Sequence, residues 1–507
     1  MTFPLLTCLG LLPIIGAAIL ILPVRAAGKW IGLGFALATL GLAAAAVPVY
    51  LGDPTALTQT VPWIPAFGAY WALSVDGMGL TMVLLTALLT PLVLFAEWNI
   101  TGKGTKWTSQ AFAALVLLLE GLSLLVFMAD DILLFYICFE ATLIPMYFLI
   151  GGFGGERRSQ AALKFLLFGL AGGLIMLVSV VGIGSFSQQA IGAPTYLISQ
   201  IGVSLSGGST WAWVLMLCFL AAFILKAPMV PVHTWLPTAA EEATPGSSVL
   251  MVGILDKIGT FGMIRICLTL FPVESAAIAP VMIVLALVSI IYGALAAIGS
   301  KNLLRLVAYT SVSHFGFMVL GIYTFTSVGL GGTMFYQVNH GFSTAALFLV
   351  LGFLIKRRGS ANVADYGGVQ SQAPILSGAL LLAGLSGLAL PGMSTFVSEF
   401  EVLAGSWSRY PWAAIVAALG TVLAAVYILL MYQRTMTGPA TPEVEETITT
   451  DLTLKEKLVA FGLAAVVIIL GLIPNLALSV ITPTAQETLT QIGVADHQAP
   501  LGEEVPA

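Results

Sequence analysis

Charge is scarce in this sequence. Only 8% of its 507 residues are Asp, Glu, Lys or Arg, while 59% are hydrophobic. Soluble domains carry about 25% charged residues, so no soluble domain of any size is expected. Cysteine is rarer still. Cys8, Cys138, Cys218 and Cys267 all lie inside apolar runs and form no CxxC pair. That excludes a recognisable iron–sulfur or zinc framework and leaves them as small core residues. No Gly-rich loop precedes a helix, so nucleotide binding is unsupported, and no nucleic-acid partner is expected. No cleavable leader is expected either: the first apolar run, Leu5–Leu22, has no basic segment before it and reads as a first span.

Apolar runs long enough to cross a bilayer recur from end to end, which predicts an all-α polytopic membrane protein. Fourteen transmembrane helices are expected, at roughly 5–22, 31–50, 78–97, 110–128, 131–150, 162–184, 211–240, 247–270, 276–298, 303–323, 328–355, 373–406, 412–433 and 457–480. The stretches 211–240 and 373–406 exceed the ~20 residues of one straight crossing. Each contains a break, at Pro228 and Pro231 in the first and at Pro391–Gly392 in the second.

Basic residues set the expected orientation. Arg25 with Lys29, Lys103 with Lys106, Arg157 with Arg158, Lys301 with Arg305, Lys356 to Arg358, and Arg434 with Lys455 and Lys457 fall in alternate connections, with Arg409 as the exception. The positive-inside rule then places both termini on the outer side. The polar segment Gly438–Asp451 is expected to be mobile, and the polar, acidic tail after Thr482 partly disordered. Spans four to eight start inside and spans nine to thirteen start outside, each set with its long broken span fourth. This is the pattern of two inverted five-helix repeats. The expected organisation is therefore 1–109 for three N-terminal spans, 110–271 and 272–434 for the repeats, and 435–507 for an inner loop, the last span and the tail.

Within these spans stand charges where a membrane helix should have none. They include Glu140 in FYICFEATLIPMYFLIGGFGG, Lys226 in CFLAAFILKAPMVPVHTWLP and Glu399 in SGLALPGMSTFVSEFEVLAG. A charge at bilayer depth costs about 2.5–3.5 kcal/mol on insertion scales, and half-helices that stop at mid-membrane are how transporters build ion sites. Glu140 is about ten residues into its span, ~15 Å deep at ~1.5 Å per residue; it is read as the partner of a lysine, against a plain interhelical hydrogen bond. Lys226 directly precedes Ala-Pro, and a desolvated ammonium there gives up its proton readily; the bland reading is a fixed salt bridge. Lys257 is too deep to snorkel. Asp256, its neighbour, points about 100° away on a helix and is not its automatic partner. Glu399 is read as the outward group in preference to Glu401. Glu120, midway along the fourth span, suits relay or packing equally.

Histidine titrates near neutrality and can shuttle protons. His314 is favoured because it occupies in the second repeat the place of Glu140 in the first. His233 and His340 could relay or simply be hydrogen-bonded in place. Lys164, near the inner surface, could snorkel or line an inlet. His233 with Glu241 and Glu242 does not make a metal site, because spacings of eight and nine residues match no zinc pattern.

Four stretches together carry a specific resemblance: DILLFYICFEATLIPMYFLIG, LKAPMVPVHTWLPTAAEEATPGSSVLMVGILDKIGTFGMIRI, SVSHFGFMVLGIYTF and LPGMSTFVSEF. Over nearly its whole length the chain resembles the antiporter-like subunit M family of bacterial NADH–quinone oxidoreductase, respiratory complex I, and the family's mitochondrial counterparts. The resemblance implies that Glu140 and Lys226 are the family's Glu–Lys pair, Lys257 its central lysine and Glu399 its exit-side group. It implies proton translocation driven by quinone reduction elsewhere. NADH, FMN, iron–sulfur clusters and quinone would be bound by other subunits, with no cofactor or metal in this chain. The partners would be neighbouring membrane-arm subunits, other antiporter-like ones among them, with lipids and internal water, in a bacterial plasma membrane. Most relatives place lysine where Glu399 stands. Asp256 departs from the family, whose residue there is apolar. The alternatives are a subunit of a cation/proton antiporter or membrane-bound hydrogenase, and a non-pumping spacer, which would need no buried charge.

Overall fold

The computed structural model describes residues 4–22, 27–102, 104, 107–201, 209–494 and 496. Arg25, Lys103, Lys106 and the tail from 497 onward lie outside the described residues.

The chain is mostly helical. After α1 (Leu5–Ile19) and α2 (Gly28–Gly52) comes a hairpin of β1 (Thr58–Ile64) and β2 (Ala69–Ser74). Then follow α3 (Gly77–Ala96), α4 (Ser109–Met128), α5 (Ile132–Ala141), α6 (Leu143–Phe153), α7 (Arg158–Ile191) and the single turn α8 (Ile198–Ile201). α9 (Thr210–Lys226), α10 (Trp235–Glu242), α11 (Pro245–Leu250) and α12 (Lys257–Gly262) lead to α13 (Pro272–Gly299), α14 (Leu303–Tyr323) and α15 (Ser327–Arg358). The rest are α16 (Val369–Gln372), α17 (Pro374–Gly387), α18 (Ser394–Arg409), α19 (Pro411–Met436), α20 (Pro442–Thr447), α21 (Leu454–Leu472) and α22 (Asn475–Gln491).

Among the described residues, nine helices are long and apolar enough to cross a membrane, or ten if the bent pair α21–α22 counts as one span. Their outer faces are apolar. On α7, Leu163, Leu167, Leu170 and Leu174 form an exposed stripe at helical spacing, and Ile415, Leu419 and Val422 do the same on α19. Water would not tolerate such stripes on this scale; lipid chains do. Polar side chains are gathered inside. α14 and α15 are enclosed almost throughout, and α15 buries Gln337, Asn339, His340, Ser343 and Thr344 at its centre.

Where the chain breaks, local chemistry gives the reason. α9 stops at Lys226 because Pro228 and Pro231 follow, and α10 starts only at Trp235. α17 stops at Gly387 and α18 starts at Ser394; between them Ala389 and Gly392 adopt left-handed backbone, with φ of 57° and 93°, a conformation glycine adopts at little cost. Between α11 and residue 270 the helix loosens to π-type hydrogen bonding at Met251–Leu255 and again at Met263–Leu268. These π turns flank Lys257.

Two helix starts repeat one device. Asp131 Oδ1 accepts from the amides of Leu133 and Leu134 at 2.9 and 3.0 Å, and Asn302 Oδ1 from those of Leu304 and Arg305 at 2.9 and 3.1 Å. Each capping residue also forms an antiparallel bridge to the segment after the next long helix, Asp131 with Leu197 and Asn302 with Asn362.

Several expectations are corrected. The fold is not purely helical: the hairpin pairs Thr58 with Ser74 through to Ile64 with Ala69, and Asp131 Oδ2 accepts from the Tyr70 amide at 2.9 Å. Gly438–Asp451 contains α20 and is tied down, with the Asp451 carboxylate accepting from the amides of Ile375 and Leu376 and Arg357 donating to the Thr450 and Asp451 carbonyls. The last apolar segment bends by 61° between α21 and α22, and helix continues past Thr482 to Gln491; the expected disorder of the tail falls mostly outside the described residues. The fifth span, Ile132–Phe153, is one apolar helix with a single irregular turn at Thr142, two residues after Glu140.

Candidate functional site: a line of buried titratable side chains

Lys226 is the last residue of α9. Its ammonium is buried and meets no hydrogen-bond acceptor among the described residues. It lies 5.1 Å from the ring centre of Phe139 and 5.8 Å from that of Phe165, a cation held against aromatic faces. The expected Glu140–Lys226 pair does not touch: none of the ion pairs among the described residues includes either group, although their charges act on one another. The Glu140 carboxyl, half-buried, rests on the backbone of α7. A Cβ at Gly173 would lie 1.7 Å from its Oε1, so the missing side chain of Gly173 is the carboxyl's seat.

Lys257 is fully enclosed at the break between the first π turn and α12. Its Nζ donates to the Val252 carbonyl at 2.9 Å, stands 2.6 Å from His340 Nδ1 and lies 4.7 Å from the ring centre of Phe315. A regular α-helix would spend the Val252 carbonyl on residue 256, but Asp256 donates its amide to Met251 instead. The π turn thus leaves a carbonyl for the lysine.

From Lys257 the line continues through two histidines. The His340 and His314 rings meet edge-on with centres 5.1 Å apart, and His314 Nε2 is 3.3 Å from the Tyr427 hydroxyl. Tyr336, one turn before His340 on α15, sits 5.8 Å from His314 by ring centres. Its hydroxyl donates to Glu399 Oε2 at 3.1 Å. Thr421 donates to the other oxygen, Glu399 Oε1. The order Lys257, His340, His314, Tyr336, Glu399 therefore joins α12, α15, α14 and α18 in one polar line, hydrogen-bonded at its two ends and joined by ring contacts between the histidines and at Tyr336, with Tyr427 of α19 beside His314. Every member can give or take a proton, or pass one by reorienting a hydroxyl.

The frame is fixed by side-chain amides. Asn339 donates to the Ser394 carbonyl at 2.9 Å and to Ser398 Oγ at 3.2 Å, holding the start of α18 at its break. Gln337 donates to Thr260 Oγ1 at 3.1 Å, holding α12 against α15.

Other candidates fall elsewhere. Lys164 donates to the Thr234 carbonyl and Thr238 Oγ1 at 2.7 and 3.0 Å, so it ties α7 to the break after α9. His233, in that break, is buried against Tyr292 with ring centres 4.9 Å apart, on the Lys164 side and away from the histidine pair. Glu120 is buried on α4 and faces Thr90 of α3 instead of the lysines. Glu241 and Glu242 bind Arg157, and Glu241 also Arg305; among the described residues no group of His, Cys, Asp and Glu could hold a metal ion. Asp256 is fully buried, and neither of its oxygens meets a hydrogen-bond donor.

Sequence reasoning missed Tyr336, Tyr427, Thr421, Gln337 and Asn339. A signal was present for three of them: YQVNH at the centre of α15 packs Tyr336, Gln337, Asn339 and His340 into two turns of an apolar span.

The chain is similar to known proteins over nearly its whole length. Residues 129–424 match the family model described as NADH:quinone oxidoreductase/Mrp antiporter, TM. The chain is 43% identical to NADH-quinone oxidoreductase subunit M of Mycobacterium tuberculosis, over 99% of this chain and 97% of that one. Its fold is similar to a chain in the structure of respiratory complex I from Thermus thermophilus with bound NADH, with a TM-score of 0.86 and 30% identity over 96% of this chain and 100% of that one. A chain of the Mrp complex from Dietzia shares the fold at a TM-score of 0.83 and 22% identity, covering 97% of this chain and 100% of that one.

Proposed function

The chain belongs to the NADH:quinone oxidoreductase/Mrp antiporter transmembrane family, as an antiporter-like membrane subunit of the NADH–quinone oxidoreductase type, and from that premise we propose how a proton crosses it. The observation that carries the reading is the polar line from Lys257 to Glu399. Isolated charges at this depth are costly, whereas charges that share a polar line solvate and tune one another.

In this reading Glu140 modulates Lys226. A rearrangement transmitted from a neighbouring subunit moves the Glu140 carboxyl on its Gly173 seat, and Lys226 gains or loses its countercharge. A change of about one pKa unit corresponds to about 1.4 kcal/mol, so a small motion suffices to move a proton on. Lys226 passes it toward Lys257; His340 and His314 carry it across the centre; Glu399 releases it outward. Tyr336 and Thr421 position the Glu399 carboxyl. Lys164 and His233 line the inlet side, and Glu120 packs α4 on α3.

We further propose fourteen spans. In this proposal the nine long helices, the bent pair, the three shorter apolar helices α1, α9 and α17, and the π-interrupted segment 245–270 would each be one span. Two inverted repeats, 110–271 and 272–434, follow 1–109 and precede 435–507. The matched capping and bridging of Asp131 and Asn302 support them. Both termini face the outside of a bacterial plasma membrane. Neighbouring membrane-arm subunits flank the chain, and FMN, iron–sulfur clusters, NADH and quinone are held by other subunits.

Mild detergent extraction tests the assignment. Flavin- and iron–sulfur-carrying subunits are expected to co-purify with this chain, and NADH-driven proton uptake by membrane vesicles to be independent of sodium. Sodium-dependent proton exchange without NADH, and purification free of redox subunits, would instead identify a secondary antiporter.

A further inference from the structure

The polar line has an unexplained gap. Lys257 reaches His340, the Lys226 ammonium has no hydrogen-bond partner among the described residues, and no side-chain hydrogen bond among them joins the two lysines. Asp256, next to Lys257 in the chain, is fully buried, and neither carboxylate oxygen meets a hydrogen-bond donor among the described residues.

Packing fixes which way Asp256 faces. Gly259 lies against the last turn of α9: a Cβ there would be 2.5 Å from the Ala227 amide nitrogen and 2.6 Å from the Phe223 carbonyl oxygen. Residues three apart share a helix face, so Asp256 presents to the end of α9, where Lys226 sits. Lys257, about 100° further round, presents to α15 and His340. The charges of Lys226 and Lys257 both act on Asp256, and Asp256 precedes Glu140 among the opposite charges acting on Lys226. A fixed counter-ion would close an ion pair with one lysine; this carboxylate closes none.

We propose that Asp256 is the proton carrier between Lys226 and Lys257, an inference that rests on the relay reading above. In the transfer, an N–H bond of the Lys226 ammonium breaks as an O–H bond forms on the Asp256 carboxylate. That O–H then breaks as the neutral amine of Lys257 becomes ammonium, which restores the carboxylate and leaves Lys226 neutral. Gaps beyond ~3.5 Å are spanned by water, and the flexible four-carbon stem of Lys257 lets its head swing between Asp256 and His340.

The test uses the intact complex in inverted membrane vesicles. Asp256→Asn keeps shape and volume but cannot carry a proton. It is expected to cut NADH-driven proton pumping by on the order of a hundredfold, the scale on which acid–base groups contribute. The amount of assembled complex and NADH oxidation by an artificial electron acceptor should stay at wild-type levels. Combined with Lys226→Ala, it should add no further loss, since both block one path in series. In the wild-type complex, infrared difference spectra between resting and NADH-reduced states should contain a protonated-carboxyl C=O band that Asp256→Asn removes. If Lys226→Ala abolishes pumping while Asp256→Asn pumps normally, or if wild type and Asp256→Asn give the same carboxyl bands, the carrier role is overturned. If Lys226→Ala itself pumps normally, it is the underlying relay reading that fails. Where the Asn variant does not assemble, Asp256→Glu decides: it keeps a carrier carboxyl and should pump while moving the C=O band, whereas an unmoved band overturns the role.

Discussion

Lys257→Ala is expected to lower NADH-driven proton pumping by on the order of a hundredfold or more, the range over which removing a proton-transferring group acts, while the complex remains assembled. Lys257 is the ammonium that touches the histidine pair, at 2.6 Å from His340 Nδ1. With alanine the line ends at His340, and the Val252 carbonyl freed by the π turn loses its donor. Lys257→Arg is the sharper variant. It preserves charge and roughly the reach, but a guanidinium holds its proton to a pH above ~12 and cannot release it within a cycle. Arginine should therefore pump nearly as poorly as alanine. The initial rate of dye quenching in vesicles, normalised to assembled complex, checks both. Full pumping by Lys257→Arg would make the residue an electrostatic post and remove it from the path.

Glu140→Gln should abolish most pumping, because glutamine keeps the shape and loses the charge that acts on Lys226. Glu140→Asp should retain part of it. The seat on α7 makes this prediction more specific. A methyl group at Gly173 would sit 1.7 Å from Oε1 and 2.1 Å from the carboxyl carbon, and these atoms end a flexible chain, so they are what yields. Gly173→Ala should therefore unseat the carboxyl without unfolding the helix and reduce pumping several-fold. The shorter aspartate clears the methyl. Gly173→Ala combined with Glu140→Asp should thus pump like Glu140→Asp alone, a coupling that independent sites would not produce. Multiplying losses in the double variant, or normal pumping by Glu140→Gln, would refute the seat or the role of Glu140 respectively.

The buried charges were legible in the sequence for a single physical reason: a charge in an apolar span costs so much that it stands out and asks for a function. Lys226, Lys257, Glu399 and His314 were visible on that ground, and so were the proline breaks that end α9 and α17. The tyrosines were not. Tyr336 and Tyr427 read as ordinary aromatic packing until their hydroxyls are located beside Glu399 and His314. The π turns around Lys257 leave no composition signal, because they are set by how the segment packs. The facing of Asp256 depended on Gly259 meeting α9, a contact between distant positions. The separation of Glu140 from Lys226 was hidden likewise. A sequence suggests opposite charges, and whether they touch is decided by Phe139, Phe165 and Gly173. The segment 438–451 looked mobile from its polarity, and its order comes from long-range bonds of Asp451 and Arg357. The hairpin lies in a short connection between spans, and Pro62 and Pro65 interrupt the β-prone run of its first strand and turn.

The central claim is that protons cross this chain along one continuous line. The most direct measurement is an experimental structure of the intact complex during NADH turnover, at a resolution that shows ordered water. The account predicts that in at least one turnover state, water and side chains connect Lys226, Asp256, Lys257, His340, His314 and Glu399 with no gap beyond hydrogen-bonding distance. A dry, unbridged interval between Lys257 and Glu399 in every state resolved would contradict it.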